Sequence, residues 1–288
     1  MVITMVETAA MAKTEIVSNW MTREVITVQT STHLHDARRL MTQAKIRVLP
    51  ILEFGKLVGI ITKRDLLRFD PSTVMREVWS QYRMMSEQTV GSVMTENVTT
   101  IEETATIPQA ARAMLENKIS ALPVIHNGQI AGMITGSDLF RFIITEQEQN
   151  EEDWCTKDYM TTNPKTVTPK TTLLEAHRIM GTQRIRALPV VREGVLVGIA
   201  TRSDLLSADP SIFFSAGNSE ISKRIQKAPI EYIMTSNPIS VCPTTPISEV
   251  AKLMLKYKIH SLPVLENGEL TGIITESDLY RLIVQKYF

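Results

Sequence analysis

The chain has 288 residues, of which 43% are hydrophobic and 22% charged, with 31 acidic and 31 basic side chains and no net charge. That length and balance fit one or two soluble globular domains, and neutrality argues against nucleic acid as a partner and against a general pull toward anionic lipid. Cys155 and Cys242 have no metal-ligand spacing and make no disulfide framework; no run reaches the ~20 apolar residues of a membrane span, the first residues carry no secretory pattern, and a cytoplasmic location is expected.

Residues 1–14 read as a flexible N-terminus. Four copies of one pattern follow. Each starts at a methionine (Met21, Met94, Met160, Met234) and reaches a Leu-Pro pair 29 residues later, at Pro50, Pro123, Pro189 and Pro263. Nine residues further on comes a glycine (Gly59, Gly132, Gly198, Gly272) that opens GIITKRD, GMITGSD, GIATRSD and GIITESD. Three anchors at fixed offsets in four copies define a repeat architecture.

Within a copy, a short β-rich run precedes a helix whose apolar face is set by spacing: Leu34, Ala37 and Met41 in the first copy, Ile107, Ala110, Ala111 and Met114 in the second. The later copies repeat it as Leu173, Ala176, Met180 and Ile247, Val250, Met254. Pro108 suits a first helical turn. Two apolar runs then flank a turn with Gly55, Gly128, Gly194 or Gly268, written Asn-Gly in copies two and four, the strongest short hairpin signal. A second helix starts at T-x-x-D. Each copy is therefore β-α-β-β-α, too small to bury a core alone, and the fold class is α+β.

The connectors show how copies pair. Copies one and three are each followed by Asp-Pro-Ser, at Asp70 and Asp209, whereas copies two and four are not. The larger unit is a two-copy module present twice. The expected boundaries are repeats at 15–70, 89–144, 155–209 and 229–288, connectors at 71–88 and 210–228, and an acidic inter-module linker at 145–154.

These anchors resemble the CBS domain, over nearly the whole chain. The resemblance implies paired repeats (Bateman modules), two of them forming a disc-like pseudo-dimer. With four repeats in one chain it resembles stand-alone archaeal and bacterial proteins and the γ regulatory subunit of AMP-activated protein kinase. The resemblance further implies that AMP, ADP or ATP, with S-adenosylmethionine as an option, binds in clefts between paired repeats, with no catalysis and no catalytic cofactor. The regulated protein partner is unknown, and a homodimer is one option. The repeats leave no room for the roughly 200 residues of a catalytic barrel.

T-x-x-D has two readings. As a helix cap, Thr and a downstream acid satisfy the first-turn amides. As a ribose hook, the same Thr and Asp hold vicinal hydroxyls. The hook reading names Thr62 and Asp65, Thr135 and Asp138, Thr201 and Asp204, Thr275 and Asp278, and the Thr can do both jobs. The four glycines favour it, because a glycine within a strand marks close approach to the backbone. Candidate phosphate ligands are Lys63, Arg64, Arg202, and the residues three before the proline, Arg47, Arg186 and His260. If pockets cross between partners, Arg47 serves Asp138 and Arg186 serves Asp278, and every pocket has a cation. The adenine is expected against Ile26, Thr99, Thr166 and Ile239 and against Val48, Ala121, Ala187 and Ser261. No metal site is expected. The alternative is a scaffold with vestigial ligand sites, docking through Trp79, Tyr82, Met84, Phe213 and Phe214. The five histidines form no catalytic set.

Overall fold

The computed structural model describes residues 15–67, 88–149, 153–208 and 220–287. Trp79, Tyr82, Met84, Phe213 and Phe214, with most of both connectors and the N-terminal 14 residues, lie outside them. No described helix is long and apolar enough to cross a membrane.

The four copies build one unit. The first helices are α1 (Leu34–Gln43), α3 (Ile107–Asn117), α6 (Leu173–Thr182) and α9 (Ile247–Tyr257). Their periodic apolar residues are the buried ones. Thr106 and Gln109 close a reciprocal capping box on α3, with Pro108 in its first turn. Antiparallel hairpins follow: β1 (Val48–Glu53) with β2 (Lys56–Thr62), β4 (Ala121–His126) with β5 (Gln129–Thr135), β7 (Ala187–Arg192) with β8 (Val195–Thr201), β10 (Ser261–Glu266) with β11 (Glu269–Thr275). Each turn needs two successive positive φ angles, 51° and 76° at Asn127-Gly128 and 52° and 86° at Asn267-Gly268. Repeats 1 and 3 put Phe54 (49°) and Glu193 (51°) in the first position, where a Cβ is disfavoured. The second helices are α2 (Lys63–Leu67), α4 (Gly136–Gln149), α7 (Arg202–Ala208) and α10 (Glu276–Tyr287). The remaining elements are β3 (Ile101–Glu102), α5 (Thr156–Tyr159), β6 (Thr161–Thr162), α8 (Glu220–Lys227) and β9 (Thr235–Ser236), with 3-10 turns at Val17–Asn19, Val90–Ser92 and Ile230–Tyr232.

The repeats pair by exchanging their starts. Thr22 trades two backbone hydrogen bonds of 2.9 Å with Met133, and Thr95 trades bonds of 2.9 and 3.0 Å with Ile60. In the second module β6 lies along β11 and β9 along β8. The methionine that begins each copy thus lands on its partner's glycine. A Cβ on Gly132 would stand 2.6 Å from Met21 Sδ and 2.9 Å from the Thr22 carbonyl; on Gly272, 2.6 Å from Met160 Sδ and 3.1 Å from the Thr161 carbonyl. Gly59 and Gly198 face Met94 and Met234 in the same way. The close approach that these glycines announce is made by the partner repeat. The inference from glycine to ligand is corrected accordingly.

Between modules, repeats 2 and 4 are fused. Helices α3 and α4 pack on α10 and α9, and one core holds Ile107, Met114, Phe142, Ile247, Met254 and Ile283 together. Repeats 1 and 3 keep separate cores, around Leu49 and Ile61 and around Leu188 and Leu205, and meet through α2 and α7. The repeats close a ring in the order 1–2–4–3. The first part of the stretch expected as linker is a helix end packed into this interface: α4 runs to Gln149 with Glu146 and Gln147 buried. Gln147 Oε1 accepts the Ser248 amide at 2.6 Å. It caps α9 from the other module, because Pro246 at the N-cap offers no side-chain acceptor. The Tyr287 hydroxyl donates to Glu146 Oε2 at 2.8 Å.

Candidate functional site

All four T-x-x-D motifs sit at a hairpin-to-helix junction with one geometry. The Asp Oδ2 of residues 65, 138, 204 and 278 accepts the backbone amide of its Thr at 2.9, 2.8, 2.7 and 2.7 Å. It also accepts the Thr hydroxyl at 2.6, 2.7, 2.7 and 2.6 Å. The Thr62 and Thr201 hydroxyls accept the Asp65 and Asp204 amides in return. The Asp half of the cap is therefore present in every copy and consumes one carboxylate oxygen, while the reciprocal Thr half is seen in copies one and three.

The second oxygen separates the copies. Asp138 Oδ1 is 2.6 Å from Arg141 and Asp278 Oδ1 is 2.8 Å from Arg281, each Arg three residues on. Asp278 Oδ1 is buried, and the Arg281 ion pair is its polar contact. Asp138 and Asp278 are 2% and 1% exposed. Burial pushes both carboxyls above the usual range against the lowering effect of their Thr and Arg neighbours. Asp65 and Asp204 are only half-buried. The Arg three after the Asp is readable in the sequence at Arg68, Arg141 and Arg281, with Ser207 in the third copy, and was the missed signal.

Val48, Ala121, Ala187 and Ser261 open the first hairpin strands and are register partners of Thr62, Thr135, Thr201 and Thr275. The structure thus brings these two candidate sets together in every copy. Ile26, Thr99 and Ile239 lie just ahead of the residues that run parallel to those strands, Val28, Ile101 and Val241. Thr166 is one position later, directly beside its counterpart Val167, so Lys165 holds the equivalent place.

The pre-proline residues are tied to their own motif: Lys63, Gly136, Arg202 and Glu276 each donate their amide to the carbonyl of Arg47, Ser120, Arg186 and His260. The side chains go elsewhere. Arg47 reaches the fourth repeat rather than the second, donating to the Lys258 carbonyl at 3.1 Å and contacting His260 Nε2. Arg186 donates to the Lys118 carbonyl of repeat 2 at 2.7 Å. Lys118 and Lys258 are the left-handed C-caps of α3 and α9, where orphan carbonyls accumulate, which is why guanidinium groups settle there. Arg47, Arg186 and His260 converge where the four repeats meet. Lys63, Arg64 and Arg202 sit exposed on the first turns of α2 and α7. Two shallow surface concavities, over His35, Arg38 and Arg39 and over Thr100, Glu102 and Gln109, involve none of these residues. Among the described residues no group of three or more His, Cys, Asp or Glu is placed to hold a metal.

The architecture has relatives. The family model of the CBS domain matches residues 16–72, 90–145, 157–211 and 230–285. Protein MJ1225 of Methanocaldococcus jannaschii is 32% identical over 279 residues, 92% of this chain and 96% of that protein. Its crystal structure, described as that of a candidate archaeal homologue of γ-AMPK, superposes with a TM-score of 0.70 over 93% of this chain and 99% of that one. An uncharacterized conserved protein from Pyrococcus horikoshii superposes with a TM-score of 0.62 at 27% identity, covering 93% of this chain and 100% of that one. Inosine-5′-monophosphate dehydrogenase of Korarchaeum cryptofilum is 38% identical over 116 residues, 40% of this chain but 21% of the enzyme. Four matched repeats, strand exchange within each pair and full-length similarity to MJ1225 agree: the chain belongs to the CBS-domain family.

Proposed function

We propose that the chain is a cytoplasmic regulatory sensor that binds an adenosine-containing ligand, AMP, ADP or ATP first and an S-adenosylmethionine-type molecule second, and reports the bound state to a protein partner. The observation that carries this reading is the fourfold Thr–Asp junction. After capping, the Asp65 and Asp204 carboxylates keep an oxygen for a ribose hydroxyl, whereas that of Asp138 and Asp278 faces Arg141 and Arg281; each junction lies beside a hairpin residue that can face a base, with guanidinium and imidazole groups gathered nearby for phosphate. Full-length similarity to a protein described as a γ-AMPK homologue supports it. We read the junction residues as binding groups: each Thr hydroxyl that faces an Asp carboxylate is held in the helix-start hydrogen bonds. Transmission follows from a difference in ligand affinity between two arrangements of the ring, and the separate cores of repeats 1 and 3 leave that side freer to rearrange than the fused side.

The burial of Asp138 and Asp278 under Arg141 and Arg281 favours a structural role for those two junctions, so the scaffold reading applies to them first. Mass spectrometry of small molecules released from purified protein tests the proposal. An adenosine-containing compound in stoichiometric amount is expected; ligand-free protein that also ignores millimolar AMP, ADP, ATP and S-adenosylmethionine would refute it.

A further inference from the structure

The residue after the motif Thr is Lys63, Gly136, Arg202 or Glu276 in the four repeats. Two are cations, one is absent and one is an anion. The anion is not solvated. Glu276 is 9% exposed; its Oε2 lies 3.2 Å from His260 Nδ1, and its Oε1 accepts the Tyr280 hydroxyl. His260 Nε2 is engaged by Arg47, so the ring proton points at Glu276. Arg186 adds its charge, and Asp138 also faces Tyr280 from α4. Burial pushes the Glu276 carboxyl up, but His260, Tyr280 and Arg186 outweigh it and hold the group below its ordinary range.

Repeat 2 is shaped around this carboxylate. A Cβ on Gly136 would collide with Glu276 Oε1 and with the Tyr280 hydroxyl. The carboxylate therefore lies over the first residue of α4 while belonging to the first residue of α10, where both helix dipoles favour negative charge. Two of the candidate phosphate ligands, His260 and Arg186, already have an anion in their field. The odd repeats offer Lys63 and Arg202 at the equivalent place.

We propose that Glu276 is a resident anion standing in for a ligand phosphate at the junctions of repeats 2 and 4, so that phosphate-bearing adenosyl ligands are confined to the junctions of repeats 1 and 3. Any ligand taken by repeats 2 and 4 is then an adenosyl compound without a phosphate. This rests on the adenosyl-binding reading above and is separable from it. A nucleotide approaching Asp138 or Asp278 meets a buried carboxylate whose partners are already satisfied. An uncharged adenosyl ligand meets no such repulsion.

The test is calorimetric titration of the full chain carrying Asp65→Ala and Asp204→Ala, which removes the odd hooks, with and without Glu276→Gln, using AMP and adenosine as separate probes. Glutamine keeps an acceptor for Tyr280 and removes the charge. The expected result is adenosine binding that changes less than twofold between the two proteins and AMP binding that gains at least tenfold with Glu276→Gln. Tyr280→Phe in the same background keeps the carboxylate and should keep AMP excluded, with thermal melting confirming that each variant is folded. An unchanged ratio of AMP to adenosine affinity overturns the proposal while leaving adenosyl binding intact. Absence of binding by both probes in the variant without odd hooks overturns the proposal and leaves the even junctions as scaffold; absence of binding also in the chain with Asp65 and Asp204 restored overturns the adenosyl reading with it.

Discussion

Repeats 2 and 4 and repeats 1 and 3 carry the same anchors, yet the ring treats them differently. The even pair has one shared core, Asn-Gly turns, and motif aspartates buried under arginine. The odd pair has its own small cores, Phe54 and Glu193 in the turn position, and aspartates that reach solvent. The difference teaches that a repeated motif does not imply a repeated job. One side of the ring is built for stability, and the other leaves its carboxylates accessible. This is the division expected if ligand binding is to change the relation between modules without dissolving them.

The largest expected break in that comparison is Phe142→Ala. Phe142 is fully buried in the shared core and makes edge contacts with Trp20 at 5.6 Å and Tyr287 at 5.3 Å between ring centroids. Its truncation should cost about 3–5 kcal/mol, read by urea denaturation, and should loosen both modules at once. Leu66→Ala, in the smaller core of repeat 1, should fall at the lower end of the roughly 2–5 kcal/mol range for such changes. Equal costs would contradict the asymmetry.

Next come the glycines. Gly132→Ala sets a Cβ against the Thr22 carbonyl, which backbone geometry holds in place, and should cost about 1–3 kcal/mol. Gly59→Ala has the flexible Met94 side chain as its nearest neighbour and should cost less. Combining Gly132→Ala with Met21→Ala should recover part of the loss, a coupling that only a partner-exchanged start predicts.

Smaller again is the effect of the caps. Asp138→Ala leaves the half-buried Thr135 amide and Arg141 without their acceptor and should cost about 1–3 kcal/mol, whereas Asp65→Ala, with water at hand, should cost less than half of that. Asp138 also carries a pH signature. Its carboxyl is raised by burial, so the folded protein holds that proton more tightly than the unfolded chain. Relative to Asp138→Asn, wild type should gain stability as pH falls toward the ordinary carboxylate range and lose that gain as pH rises through the folded value; denaturation at two pH values reads the slope. The smallest change is a gain: Phe54→Asn, at a fully exposed left-handed position, should stabilise by up to about 1 kcal/mol, and the same change at Glu193 likewise.

Much of the fold was legible because it is local and repeated. Helical stripes, Asn-Gly turns and T-x-x-D junctions depend on neighbours in the chain, and four copies removed the ambiguity of one. The junction's cap was legible for the same reason. What escaped depends on distant contacts. Nothing in GIIT tells that Gly272 receives Met160, or in TEQEQ that Gln147 caps a helix a hundred residues later. Glu276 reads as a poor phosphate ligand in its own motif, and only the approach of Gly136, His260 and Arg186 turns it into a buried anion. Arg47 was assigned to the wrong neighbour because pairing within modules is visible in the repeat pattern and contact across the ring is not.

The central claim is that the odd junctions hold an adenosine-containing ligand. Calorimetric titration of ligand-stripped protein with AMP measures it directly, comparing wild type, Asp65→Ala with Asp204→Ala, and Asp138→Asn with Asp278→Asn. The account predicts binding to wild type, loss of at least tenfold in the odd variant, and a change below threefold in the even variant. Binding that survives the odd substitutions and disappears with the even ones would contradict it.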